Sequence, residues 1–96
     1  VIREHAILPV RPGLEDDFLT AFQTARPLIE SIPGFRGLSL SRSIEDPSSF
    51  LLLVDWKRLE DHTQGFRGSP EYAKWKELLH RFYCPSPDVQ HFIAVA

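Results

Sequence analysis

The chain has no methionine and a single cysteine, Cys84. One cysteine cannot close an intrachain disulfide, and no Cys-x-x-Cys zinc or redox motif exists, which is compatible with a reducing cytoplasm. Long apolar runs are also missing. The longest, Phe50–Val54, is far too short to span a bilayer, and there is no signal peptide, so no membrane partner is expected. No sign of charge dominates: 11 Lys and Arg face 13 Asp and Glu, for a net charge of −2. Without a basic stripe to compete for phosphates, nucleic acid is not an expected partner. A Gly-rich phosphate loop is absent, the serines lack a nucleophile-elbow context, and Cys84 beside Pro85 has no obvious activating base, so nucleophilic catalysis is not expected. Opening at Val1, the sequence is consistent with a chain trimmed or cut from a longer product.

What is present is ordinary globular composition, 43% hydrophobic and 25% charged over 96 residues. That suffices for one domain spanning 1–96, near the small end of what buries its own core. Val1–Val10 is rich in β-branched and aliphatic residues and stops at Arg11-Pro12-Gly13. From Leu14, the residues Leu14, Phe18, Phe22, Ala25, Ile29 and Ile32 recur every three or four positions, the stripe of an amphipathic helix with Glu15, Asp16 and Asp17 in its first turn. Pro27 is expected to kink this helix rather than divide it. Pro33-Gly34 ends it. Phe35–Arg42 and Phe50–Trp56 follow as an antiparallel hairpin around Asp46-Pro47-Ser48-Ser49.

The strand Phe50–Trp56 is apolar on both parities, which implies cover on both faces. Helices take one face, and a second copy of the sheet is the expected cover for the other. A short helix then carries Leu59, His62, Thr63 and Phe66 on one side. Ser69 caps a second helix with Pro70 at its first position and Tyr72, Trp75, Leu79 and Phe82 as its stripe. Pro85-Ser86-Pro87 stops it before a last strand, Val89–Val95. The expected order is β-α-β-β-α-α-β, an α+β, ferredoxin-like plan with a four-stranded antiparallel sheet.

His62 is the first candidate for chemistry, since a histidine on an apolar helix side can be neutral near pH 7 and exchange a proton with a substrate. The competing reading is a core histidine satisfied by a carbonyl or a neighbouring acid. His5 and His91, on first and last strands that lie side by side, could gather with His62 at one end of a pocket. No pair has the close helical spacing of a metal motif, so no metal is expected. His80 is explained by solvation. Trp56, Phe66 and Trp75 read first as core and second as a wall for a flat aromatic ligand, while Tyr72 has the better prospect of turning its hydroxyl to a cavity. Arg67 could clamp a carboxylate or phenolate, or cap the preceding helix. Arg36 and Arg42, sharing parity with Leu38 and Leu40, could pair with acids at a subunit contact.

Four sets of residues resemble the antibiotic biosynthesis monooxygenase family of the dimeric α+β barrel superfamily: Pro33-Gly34-Phe35-x-Gly37; the strand ending at Trp56; His62-Thr63-x-Gly65-Phe66-Arg67-Gly68-Ser69-Pro70-x-Tyr72-x-x-Trp75; and Pro87-x-Val89-x-His91-Phe92. The resemblance covers nearly the whole chain. It implies a homodimer joined through the sheet face, with a pocket between each sheet and its own helices for a small apolar or aromatic ligand. Some members oxygenate polycyclic phenols and anthrones with molecular oxygen and no metal or flavin; others degrade haem. The haem-degrading branch's asparagine, tryptophan and histidine align with His5, Gly65 and Trp75 here, so that chemistry is disfavoured. The expected function is a cofactor-independent monooxygenase for a small aromatic or quinol-like substrate, with His62 as base and Arg67 or Tyr72 on the oxyanion. A non-catalytic ligand-binding or stress-response module, or a non-oxidative isomerase or cyclase, is the alternative.

Overall fold

A computed structural model describes all 96 residues. Strand β1 (Ile2–Pro9) leads into helix α1 (Glu15–Glu30), then the hairpin β2 (Phe35–Arg42) and β3 (Ser49–Trp56). A π-type turn at Asp61–Phe66 precedes helix α2 (Pro70–Leu79), a 3₁₀ turn at His80–Phe82, and strand β4 (Asp88–Phe92). The sheet is antiparallel in the order β2-β3-β1-β4, the ferredoxin-like arrangement. No helix is long and apolar enough to cross a membrane.

Period-two alternation gives each strand an inner and an outer face. On β1, Glu4, Ala6 and Leu8 are buried under the helices, while Arg3, His5 and Ile7 point the other way. On β3, Phe50, Leu52, Val54 and Trp56 face inward, and Leu51 and Leu53 form the half-buried outer row. Phe18, Phe22, Ala25 and Ile29 of α1 pack into the inner face with Trp75, Leu79 and Phe82. α1 runs through Pro27 as one helix. Ser69 caps α2 through its hydroxyl, which accepts from the Tyr72 N–H at 3.2 Å.

Three details differ from the sequence expectations. The short helix carrying His62 is one π-type turn, closed by the Arg67 N–H donating to the His62 carbonyl at 3.1 Å, five residues back. With Gly65 in the segment, helix propensity is too weak to sustain an α-helix. The last strand stops at Phe92, three residues before Val95, because its register with β1 ends at the pair Arg3↔Phe92. A bulge between Phe35 and Gly37 puts Leu38, Leu40 and Arg42 opposite Val54, Leu52 and Phe50 on the helix side. Arg42 is therefore not on the outer face; its guanidinium lies over the Phe50 ring and donates to the Pro47 carbonyl at 2.6 Å.

Gly34 ties the α1–β2 turn to the segment that presents His62. Its φ is +92°, and its carbonyl accepts from the Lys57 N–H at 2.8 Å. A Cβ there would overlap the Asp61 carboxylate, itself held by the Arg58 N–H (3.0 Å) and guanidinium (3.1 Å). Left-handed backbone and steric overlap act together, so Gly34→Ala is expected to lose about 1–3 kcal/mol. Urea denaturation of the two proteins measures this; equal midpoints and slopes would show that the turn relaxes freely.

Candidate active site

A cleft opens between the inner face of the sheet and the α2 side of the molecule. It encloses about 440 Å³ of empty space, its open mouth included. The cavity proper is only about 60 Å³, well below the range of about 300–1,000 Å³ typical of small-molecule sites. Ala6, Leu8, Leu52, Phe66, Trp75 and Val89 supply apolar walls; Glu4, His62, Arg67, Tyr72, His80 and Tyr83 bring the polar groups.

Glu4 is the unexpected member. It occupies the apolar parity of β1 between helix-facing neighbours and is 5% exposed. The indole N–H of Trp56 donates to its Oε1 at 3.0 Å. Burial raises the carboxyl's pKa, opposed by this hydrogen bond and by the positive charge of Arg67. No other side chain donates to the carboxylate, and no buried side-chain oxygen in the molecule lacks a partner, so the second oxygen keeps access to the cleft it lines.

His62 lines the same cleft beside Glu4. Its ring stacks on Trp56, with centroids 5.5 Å apart and planes 14° from parallel. Its Nε2 is 3.4 Å from Glu4 Oε1, a long contact, and its Nδ1 is 2.7 Å from His91 Nε2, a short hydrogen bond. Burial, then the charges of Arg67 and His91, push its pKa down to about 3. The ring is neutral across the physiological range, with one proton between two partners. His91 is half-buried on the edge strand, directly across from Glu4 in the β1–β4 register. Its pKa is lowered too, by burial and then by Arg67.

The structure brings together His62, Arg67, Tyr72, Phe66 and Trp75 around the cleft. Three other candidates lie elsewhere. Trp56 is wholly buried behind Glu4, and His91 reaches the cleft only through His62. His5 sits on the outer face against Phe92, ring centroids 5.5 Å apart. The three-histidine cluster is thereby corrected to a pair: one position of parity separates Glu4 from His5 and sends their side chains to opposite faces. His80 is exposed but borders the cleft, and burial followed by Lys76 lowers its pKa. Glu4 and Tyr83 escaped the sequence reading. An acid on the apolar parity of β1 was a signal for the first; the second follows the end of a helix with no pattern to mark it. Burial raises the Tyr83 pKa, so its hydroxyl stays protonated.

Comparison with known proteins decides the family. The antibiotic biosynthesis monooxygenase family model matches residues 1–78. The chain belongs to the antibiotic biosynthesis monooxygenase family. It is 52% identical over 92 residues to YczJ, an uncharacterised protein of Bacillus subtilis, covering 96% of this chain and 97% of that protein. A Bordetella bronchiseptica protein, provisionally named an antibiotic biosynthesis monooxygenase, superimposes with a TM-score of 0.94 at 37% identity, over 99% of this chain and 97% of the other. SnoaB, a cofactor-independent oxygenase from Streptomyces nogalater, has a TM-score of 0.86 at 16% identity, over 99% of this chain and 93% of its own, and so shares the family fold.

The depressed His62 pKa has a measurable consequence. From the ordinary value of 6.5 down to about 3, the unfolded chain binds a proton that the folded ring refuses. Stability then falls as pH drops through that window. The raised Glu4 pKa acts with the opposite sign, favouring the folded state toward acid. Relative to wild type, His62→Gln is expected to lose less stability between pH 6.5 and 3, measured by urea denaturation at fixed ionic strength. Parallel pH profiles would contradict a buried neutral imidazole.

Proposed function

We propose that this family member is a cofactor-independent monooxygenase acting on a small phenolic or quinol-like aromatic. What carries the reading is an aromatic-walled cleft in which a buried carboxyl of raised pKa, Glu4, lies beside a neutral histidine while Arg67 borders the same space. Glu4 takes the phenolic proton as general base, and His62, which borders the same cleft, stands next to it as its proton partner. Arg67 and the Tyr72 hydroxyl stabilise the resulting oxyanion.

The anion is the reductant and molecular oxygen the oxidant. One electron passes to oxygen, and the two radicals join in a carbon–oxygen bond. Collapse of the hydroperoxide then leaves a quinone carbonyl and releases water. The phenolic hydrogen and the ring hydrogen at the oxygenated carbon leave in that water, so atoms and electrons balance. Phe66 and Trp75 fit the role of stacking surfaces for a flat ring.

The protein would work as a homodimer. Ile7, Leu51, Leu53 and Phe92, which is 47% exposed, make an apolar strip on the outer sheet face beside His5 and the Arg3–Asp55 ion pair; this strip suits a second copy of the sheet. Sedimentation velocity is expected to give a dimer at micromolar concentration; a monomer there would sink the barrel assembly.

Oxygen uptake with a panel of hydroquinones and anthrones tests the reaction. Turnover is expected in wild type, with a loss of about 10²–10⁴-fold in Glu4→Gln. Saturable quenching of tryptophan fluorescence with no oxygen uptake would point to a binding module instead, and turnover without oxygen consumption to an isomerase or cyclase.

A further inference from the structure

Glu4, His62 and His91 stand in line from the cleft to the edge of the sheet, the first link a long contact and the second a hydrogen bond. Glu4 lines the cleft on β1, His62 rises from the π-type turn, and His91 stands on β4 at the sheet's free edge. The links are 3.4 Å between Glu4 Oε1 and His62 Nε2, and 2.7 Å between His62 Nδ1 and His91 Nε2.

The second link imposes a rule. Two neutral imidazoles at that distance share one proton, so only two arrangements are available. In one, His62 carries its proton on Nδ1 and donates to His91, leaving a bare Nε2 lone pair toward Glu4. That arrangement welcomes a protonated Glu4. In the other, His91 donates through Nε2, and His62 carries its proton on Nε2 toward an ionised Glu4. The tautomer of His62 is therefore tied to the protonation of Glu4.

We infer that Glu4, His62 and His91 act as a reversible proton relay, moving the substrate's proton out of the cleft to the sheet edge and back again. The inference rests on the oxygenase reading for its substrate, but not for the coupling itself. The outward stroke starts from the arrangement with His62 protonated on Nδ1: Glu4 accepts the phenolic proton on its cleft-facing oxygen, turns it to the His62 side by rotation of the carboxyl, and passes it to His62 Nε2 while the Nδ1 proton moves to His91 Nε2. Glu4 is left ionised, and His91 is an imidazolium outside the cleft. A protonated carboxyl would otherwise hydrogen-bond the phenolate and hold back the electron density that must reach oxygen. When the hydroperoxide collapses, the proton returns along the same line into the departing water, and both tautomers reset. No net proton leaves the protein.

The charges around the line favour the proton's return over a lasting stay on His91. Arg67 is the cation that acts on all three groups, and its field disfavours a resident imidazolium on His62 or His91. Trp56 holds Glu4 in place through its N–H and the His62 ring through stacking, which fixes the path without adding a titrating group.

Nitrogen-15 NMR of the histidine rings, recorded without substrate from roughly pH 4 to 9, reads the coupling directly. In wild type, His62 is expected to stay neutral and to change its tautomer population as Glu4 titrates. Glu4→Gln, which keeps an oxygen for the Trp56 N–H, is expected to abolish that change and to move the His91 titration by about one pH unit. His91→Gln is expected to lower oxygenase turnover about tenfold or more and to remove one limb of its pH profile. Identical His62 tautomers and His91 titration in wild type and Glu4→Gln would overturn the relay. Coupled titration without oxygen uptake on any phenol or anthrone would overturn the oxygenase reading alone, whereas uptake with uncoupled titration would overturn the relay alone.

Discussion

The hydrogen bond from the Trp56 indole to Glu4 holds the inner face of the sheet and the candidate site together. A carboxyl buried under two helices costs several kcal/mol if left ionised and unpartnered. The indole offsets part of that cost with a neutral donor, leaving the acid titratable instead of locking it into an ion pair. Trp56 can do this because it ends β3 beside the start of β1, where the antiparallel register sets Ile2 against Trp56 and Glu4 against Val54. The same ring serves as the platform on which His62 stacks. Sheet register, core packing and site electrostatics converge on one side chain.

Its setting explains why the site is built on a π-type turn. The π-type turn swings His62 between β1 and β4, and it is anchored upstream by Asp61 packed against Gly34. An α-helical continuation would place successive side chains 100° apart along a straighter axis, whereas the widened turn lets both ring nitrogens find partners on two different strands. Gly34, with its positive φ, leaves room for Asp61, so a backbone requirement in the α1–β2 turn fixes where the imidazole stands.

The fold was legible in the sequence to a large degree. The α1 stripe, the Ser69-Pro70 cap of α2 and the doubly apolar β3 each carry a local physical signal, and each appears where its signal placed it. The cleft's aromatic wall was partly legible, since Phe66, Tyr72 and Trp75 share one side of adjacent segments. Glu4 was not recognised, although its parity with Ala6 and Leu8 was visible, because acids are commonly solvated and seldom buried. His5 drew attention in its place through residue type alone, and strand alternation turns it to the outer face.

By itself, then, the sequence determined the element order, the buried stripes and the family, because periodicity, caps and turns act over a few residues and need no distant partner. Only the tertiary structure decided that Glu4, His62 and His91, separated by up to 87 positions, stand in line. That outcome depends on strand order and register, which place β1 between β3 and β4, and on a single widened turn. Proton-transfer geometry is set at the scale of tenths of an ångström between segments that only the completed sheet brings together.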